Sequence, residues 1–256
     1  MKGFTAFFAK ETKEFIRTKR MMIILGVFLL VGVMNPALTL LTPKLMNLMA
    51  DDYAAMGITL TEISVNALDS WAQFAKNLST ALIVFLIMLS GIYTSEYSKG
   101  TLIPLLTKGL SRTSVVLSKL GVMLLTWTAG LWLCFGVTYA YNSWYWDNSV
   151  ARELPFACFL WWLFGVMIIC AIVFFSSLAR TGSQVLLGTG GIYIVMTLIG
   201  MYGKAKKYLP SFLTDSVPLF RGEREPSDYV YAIAITAVIS VVMVIAALPL
   251  TNKRQL

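Results

Sequence analysis

Six long apolar runs separated by polar stretches make up most of the chain, and a basic stretch precedes the first of them. A run of about 20 residues, rising about 1.5 Å per residue as a helix, crosses a bilayer core of about 30 Å. The runs fall at 21–41, 73–95, 120–141, 155–178, 183–201 and 229–250, with a polar connection at 96–119 between the second and third. The pattern predicts an all-α integral membrane protein, one domain over 1–256, with six transmembrane helices.

Residues 1–20 have a different period. Turned at about 100° per residue, Phe4, Phe7, Phe8, Phe15 and Met22 share one face, and Lys2, Lys10, Lys13, Arg17 and Arg20 oppose them. An aromatic face against a cationic one suits an amphipathic helix lying on an anionic leaflet. The charged region is too long for a signal peptide, and no small-residue cleavage site follows the apolar run. Glu11 falls on the aromatic face. It either snorkels or is locally paired there, or it is in contact with the 96–119 connection or a partner.

Composition supports the membrane reading: 57% of residues are hydrophobic, 13% are charged, and mean hydropathy is +0.73. Soluble domains carry about 25% charged residues. Cys134, Cys158 and Cys170 all sit inside apolar runs, which argues against a disulfide framework, and the chain has no histidine. The net charge of +8 could suggest nucleic acid, but its distribution follows the spans instead. With both termini inside, thirteen of the 21 cations and three of the 13 acids fall on the inner side. This cation bias sets both termini and the 96–119 connection in the cytoplasm.

Within the spans, Asn35-Pro36 should kink the first, and that kink either lines a cavity or is a structural proline. The loop 42–72 reads as an outer cap, with Leu45, Leu48 and Met49 on a short amphipathic helix. Tyr139, Tyr141, Trp144, Tyr145 and Trp146 mark the outer interface as an aromatic belt or, alternatively, a stacking site. The fifth span carries Gly188, Gly190, Gly191 and Gly200, suited to a close helix contact or to a gating flexure. A second outer segment, 203–228, precedes the last span. The span cores hold no Asp, Glu, Lys, Arg or His, which argues against the usual ion-coupled carrier and implies that energy arrives from outside the lipid. Among the intramembrane hydroxyls and amides, Asn35, Thr189 and Thr197 are candidates for lining a cargo route.

The 96–119 connection has its own local logic. Its charges, Glu96, Lys99, Lys108, Arg112 and Lys119, would each cost roughly 3 kcal/mol at mid-bilayer, so it lies in water or against protein. Gly100 should break the arriving helix, Thr101 should cap a new short one, and Pro104 fits its first turn. Leu102, Ile103, Leu105 and Leu106 give that helix an apolar face, and Gly109 can end it in a left-handed turn. Ser111 then caps the next helix, with Arg112 and Lys119 as anchors at the membrane surface. The segment is either a rigid knob that fits a partner's socket or an ordinary solvated loop.

The series Glu96-x-x-x-Gly100-Thr101-Leu102, then Leu105-Leu106, Lys108 and Ser111-Arg112, resembles the membrane subunits of ABC type-2 exporters. The segment Ala67-Leu68-Asp69-Ser70-Trp71-Ala72-Gln73-Phe74 is similar to Gram-positive members of that family. The resemblance implies that 96–119 is a coupling segment docking on a cytoplasmic ABC ATPase, present in two copies, with Glu96, Gly100, Thr101, Leu102, Leu105, Leu106, Lys108 and Arg112 at the contact. It further implies a second permease copy or paralogue in the membrane, and a plasma-membrane location in a Gram-positive bacterium. ATP and Mg would sit on the partner, with no cofactor on this chain, which has no Gly-x-x-x-x-Gly-Lys-Ser/Thr loop. The chain is then a transport subunit rather than an enzyme. Its expected cargo is an amphipathic or hydrophobic peptide toxin, bacteriocin or drug, the exporters of phenol-soluble modulins being the nearest comparison. The competing reading is a non-transporting immunity or sensor protein that recruits a cytoplasmic partner. A lipid-modifying enzyme would need paired acids or a histidine that the pattern does not supply.

Overall fold

Local signals at the helix ends explain where most of the elements begin. α1 (Lys2–Arg17) and α2 (Arg20–Leu48) are separated at Lys19, whose φ of 59° lies in the left-handed region and breaks the helical path. α3 (Ala67–Leu89) starts at a capping box between Asn66 and Asp69, and α4 (Thr94–Ser98) follows after a turn at 90–93. α5 (Arg112–Tyr145) starts where the Ser111 hydroxyl accepts the Ser114 N–H, as the sequence leads one to expect. α6 (Leu154–Leu178) has Pro155 in its first turn, and α7 (Gly182–Gly200) opens on a Thr181–Gln184 capping box. The short α8 (Val217–Phe220) and the long α9 (Val230–Lys253) complete the order. The computed structural model describes residues 2–49, 64–98, 100–102, 104, 107, 109–203 and 205–253. Among these there is no strand, and six helices are long and apolar enough to cross a membrane.

α3 begins at Ala67 rather than 73, and α5 at Arg112 rather than 120, because the polar caps Asn66 and Ser111 support helix beyond the apolar runs. α2 likewise continues through Pro36 and Pro43 to Leu48, so Leu45 and Leu48 belong to it and not to a separate helix. The rest of the outer-cap reading, over 50–63, lies outside the described residues.

α6 is the central helix, with 72% of its most apolar window buried, as expected for a helix hydrophobic on all sides. It packs against α5, α7 and α9. Its crossing with α5 is set by Gly165, where a Cβ would stand 2.0 Å from the buried Trp127 ring. The Trp127 indole N–H donates to the Trp162 carbonyl, and the Trp162 N–H donates to Thr128 Oγ1. A second layer joins α2, α3 and α5. There Pro36 lacks the N–H that would reach the Gly32 carbonyl, and the Thr138 hydroxyl donates to that freed oxygen at 3.0 Å. Asn35 Nδ2 donates to Thr138 Oγ1 and Asn35 Oδ1 accepts from Asn77 Nδ2, so one polar chain ties three helices. α7 and α9 are the least enclosed, each with 17% of its window buried.

At the end of the bundle far from the 96–111 connection, Trp71 is fully buried among Phe74, Phe135, Tyr139 and Phe220, and its indole N–H donates to Asn148 Oδ1. The 205–229 stretch folds over the same end as short 3-10 turns and α8, burying Phe212, Leu213, Leu219 and Phe220. Asp215 is its hub, paired with Lys206 at 2.6 Å and Arg224 at 3.0 Å, while its backbone carbonyl accepts the Tyr229 hydroxyl.

Candidate functional site

The 96–111 connection emerges from α4 through a left-handed glycine. Gly100 has φ 64°, its N–H donates to the Tyr97 carbonyl, and the Thr101 N–H donates to the Glu96 carbonyl. This is the six-to-one and five-to-two bond pair of a Schellman C-cap. The Thr101 hydroxyl also donates to the Glu96 carbonyl, so Thr101 closes the helix behind it. Gly109 takes φ 90°, as its place before the next helix requires. Ile103, Leu105, Leu106 and Lys108, with Lys99, lie outside the described residues.

Leu102 turns inward. It is 2% exposed, in a small apolar cluster with Phe7 of α1 and Val115 of α5, closed by Tyr97 and Leu110. One helical turn along α1 from Phe7, Glu11 meets the buried ammonium of Lys119, at 2.7 Å from Glu11 Oε2 and 2.9 Å from Glu96 Oε1. Lys119 is 2% exposed, so it is no surface anchor; α1 covers it and supplies one of its two counter-charges. Glu96 Oε2 is buried without a hydrogen-bond partner. At the outer rim Lys10 bridges Glu11 at 3.0 Å and Glu14 at 2.6 Å. Lys10's hydrogen bond holds the Glu14 carboxyl below its ordinary value. Burial pushes the Lys10 ammonium down, but its bonds to Glu14 and Glu11 outweigh that and leave it raised.

These groups line a cavity of about 510 Å³ with Phe15, Thr18, Arg20, Ile92, Thr101 and Pro104. The Glu11, Glu14 and Glu96 carboxylates come within 4.8 Å of one another, a spacing a divalent cation could use. Lys10 and Lys119 already pair with all three carboxylates, so two of the three charges are balanced from within the chain. Two further bonds brace the connection's ends: the Tyr93 hydroxyl donates to the Val116 carbonyl at 3.0 Å, and Arg112 donates to the Thr251 carbonyl of α9 at 3.1 Å.

The structure thus draws Glu96, Gly100, Thr101, Leu102 and Arg112 around one end of the bundle. It adds Phe7 and Glu11 from outside the connection, and it buries Lys119, expected as a surface anchor, between Glu11 and Glu96. The signal for Glu11 was present in its place on the aromatic face of an amphipathic helix. Nothing local to Lys119 distinguishes it from a surface anchor.

The three cargo-route candidates do not converge through hydrogen bonds. Asn35 is fully buried and engaged between α2, α3 and α5. Thr189 on α7 is fully buried with no hydrogen-bond partner. Thr197 is exposed on α7, bonded to its own Tyr193 carbonyl, and lines a shallow 400 Å³ cleft with Lys206 and Asp215. Of the span's glycines, Gly188 meets α6, where a Cβ would stand 2.6 Å from Phe175, while Gly190 and Gly191 face open space.

Six membrane-length helices, with a braced polar connection held against an amphipathic helix, define a multi-pass integral membrane subunit. Residues 5–216 match the family model described as ABC-2 family transporter protein, and the chain belongs to that family. It is a transmembrane subunit of an ABC transporter, serving transport rather than catalysis itself. Comparison with curated proteins finds no match for the chain.

Proposed function

We propose that the chain is the permease of an ATP-driven exporter, powered by separate ABC ATPase subunits that dock in the cytoplasm on the Glu96–Arg112 connection. The observation that carries this reading is the bracing of that connection. It is tied to α1 by Leu102 and by Glu96 through Lys119, to α5 by the Tyr93 bond across its ends, and to α9 by Arg112. A solvated loop without a mechanical task needs no such attachments; a part that receives a push does. With Leu102 and Glu96 held internally, contact with the ATPase falls to Leu105, Leu106 and Lys108, together with the exposed Pro104 and Thr107.

The permease acts in the plasma membrane as a pair, with a second copy or a paralogue covering the thinly enclosed α7 and α9. The open flank at Gly190 and Gly191 suits close helix approach. The cargo is an amphipathic or hydrophobic peptide or drug, in keeping with span interiors whose polar groups are hydroxyls and amides. Leu105→Asp tests the reading. The variant is expected to reach the membrane but to lose capture of the ATPase and cargo-stimulated ATP hydrolysis. Normal capture and normal stimulation would overturn it, and ATPase binding without movement of any solute would favour a sensor or immunity role.

A further inference from the structure

We infer that α1 is a working part of the docking unit, moving with the connection as one rigid body, and that Lys119 is the positioning residue that joins them. The inference rests on the proposed exporter reading and adds to it a component outside the connection itself.

Two independent contacts carry it. The first is apolar: Phe7 of α1 is 5% exposed, Leu102 2% and Val115 1%, so α1, the connection and the start of α5 share one small core. The second is ionic. A single buried ammonium, Lys119, holds Glu11 of α1 at 2.7 Å and Glu96, at the start of the connection, at 2.9 Å. Phe7 and Glu11 are one turn apart, and Phe15, one turn further, enters the main core. One stripe of α1 is therefore fixed at three successive turns. The attachment is close as well as repeated: at Gly121 of α5 a Cβ would stand 2.8 Å from the Phe8 ring.

A helix serving only as a lipid anchor would need apolar contact with the leaflet, not a buried glutamate aimed at a lysine near the start of α5. Taking a lysine and a glutamate out of water is costly, and breaking such a pair from one side costs more than the pair is worth. The arrangement persists under displacement only if all three pieces move together. A force applied to the connection would then reach the surface of the leaflet through α1, while the free face of α1, with Lys13 and Arg17 exposed, stays available to anionic headgroups.

The test uses the full permease–ATPase complex in vesicles. Spin labels at Lys13→Cys and Thr107→Cys report the distance from α1 to the connection; both positions are exposed, and the three native cysteines are buried. The expected result is one narrow distance that does not change when the ATPases are trapped with a non-hydrolysable ATP analogue. Lys119→Met should broaden it and reduce cargo-stimulated hydrolysis at least tenfold while ATPase capture persists. Lys119→Arg should restore most of the stimulation. Should Lys119→Met fail to reach the membrane, Glu11→Gln, which leaves the Lys119–Glu96 pair in place, should still lower stimulation several-fold. A wild-type distance that shifts on trapping, or wild-type stimulation in the Lys119→Met or Glu11→Gln variant, would overturn the inference and leave the exporter reading standing. Absence of ATPase capture by the wild-type chain would overturn both.

Discussion

Pro36 and Thr138 make a pair that only the folded protein defines. The proline removes a donor from α2, and a hydroxyl from α5 replaces it while also accepting from Asn35. Thr138→Val keeps the shape and leaves the Gly32 carbonyl and one Asn35 N–H unpaired in a buried seam. Single interhelical bonds in membranes average about 0.6 kcal/mol, whereas each unsatisfied buried group costs about 1–3 kcal/mol, so a loss of about 1–3 kcal/mol is expected. Unfolding of the purified protein in detergent measures it. Asn142, one turn further along α5, provides the opposite case. It is fully buried, and neither amide atom has a partner. Asn142→Leu should therefore be neutral or stabilising in the same assay, since it removes two unpaired polar atoms. A large destabilisation would show that Asn142 holds a bound water or ligand. Gly165→Ala should be the most damaging small substitution, because its methyl has to displace an indole packed between Phe28 and Phe85. Overpacking of this kind costs about 1–3 kcal/mol or more.

At the scale of elements, the question for α1 is what covers its aromatic face. Protein covers much of it, since Phe7, Glu11 and Phe15 are all buried, while Phe4 and Ile16 remain exposed. Gly121→Val should prise α1 from α5 by forcing the Phe8 ring outward, and protease cleavage within 2–17 should accelerate while the spans stay intact. Unchanged cleavage would mean that lipid, not α5, holds the helix. The far-end stretch 205–229 allows a second prediction, on pH. Burial pushes the Asp215 carboxyl up, but the hydrogen bonds and charges of Lys206 and Arg224 outweigh it and hold the group below its ordinary 3.8. A depressed carboxylate stabilises the fold above the unfolded-state value and loses that contribution as pH falls through the folded one. Hydrogen exchange across 205–229 should be constant near neutral pH and rise below about pH 4, and Asp215→Asn should bring the fast exchange to neutral pH.

What the sequence revealed at this scale follows from how local each signal is. Ser111, Gly100 and Gly109 were legible because a cap and a left-handed turn are properties of a few consecutive residues. The inward turn of Leu102 and the burial of Lys119 were not. Both depend on α1 folding back at Lys19, a non-glycine residue in the left-handed region that no composition rule would single out. The 205–229 stretch was equally opaque. Its buried Phe212, Leu213, Leu219 and Phe220 sit on turns too short to establish a period.

For the molecule as a whole, the direction of insertion decides whether the braced connection can meet a cytoplasmic motor at all. The inner side expected from the cation bias carries thirteen of the 21 cations and three of the 13 acids, an asymmetry far larger than a shift of one or two residues could reverse. The folded chain is suited to a direct test because its own thiols are silent: Cys134 and Cys158 are fully buried, and Cys170 is 5% exposed. A membrane-impermeant maleimide should therefore not label the wild-type protein in intact cells. Thr107→Cys, exposed on the connection, should react only after the membrane is opened. Ser149→Cys, exposed in the turn between α5 and α6 at the far end, should react in intact cells. Labelling of Thr107→Cys from outside would place the connection away from any ATP, and the proposed transmission through Lys119 and α1 would have nothing to transmit.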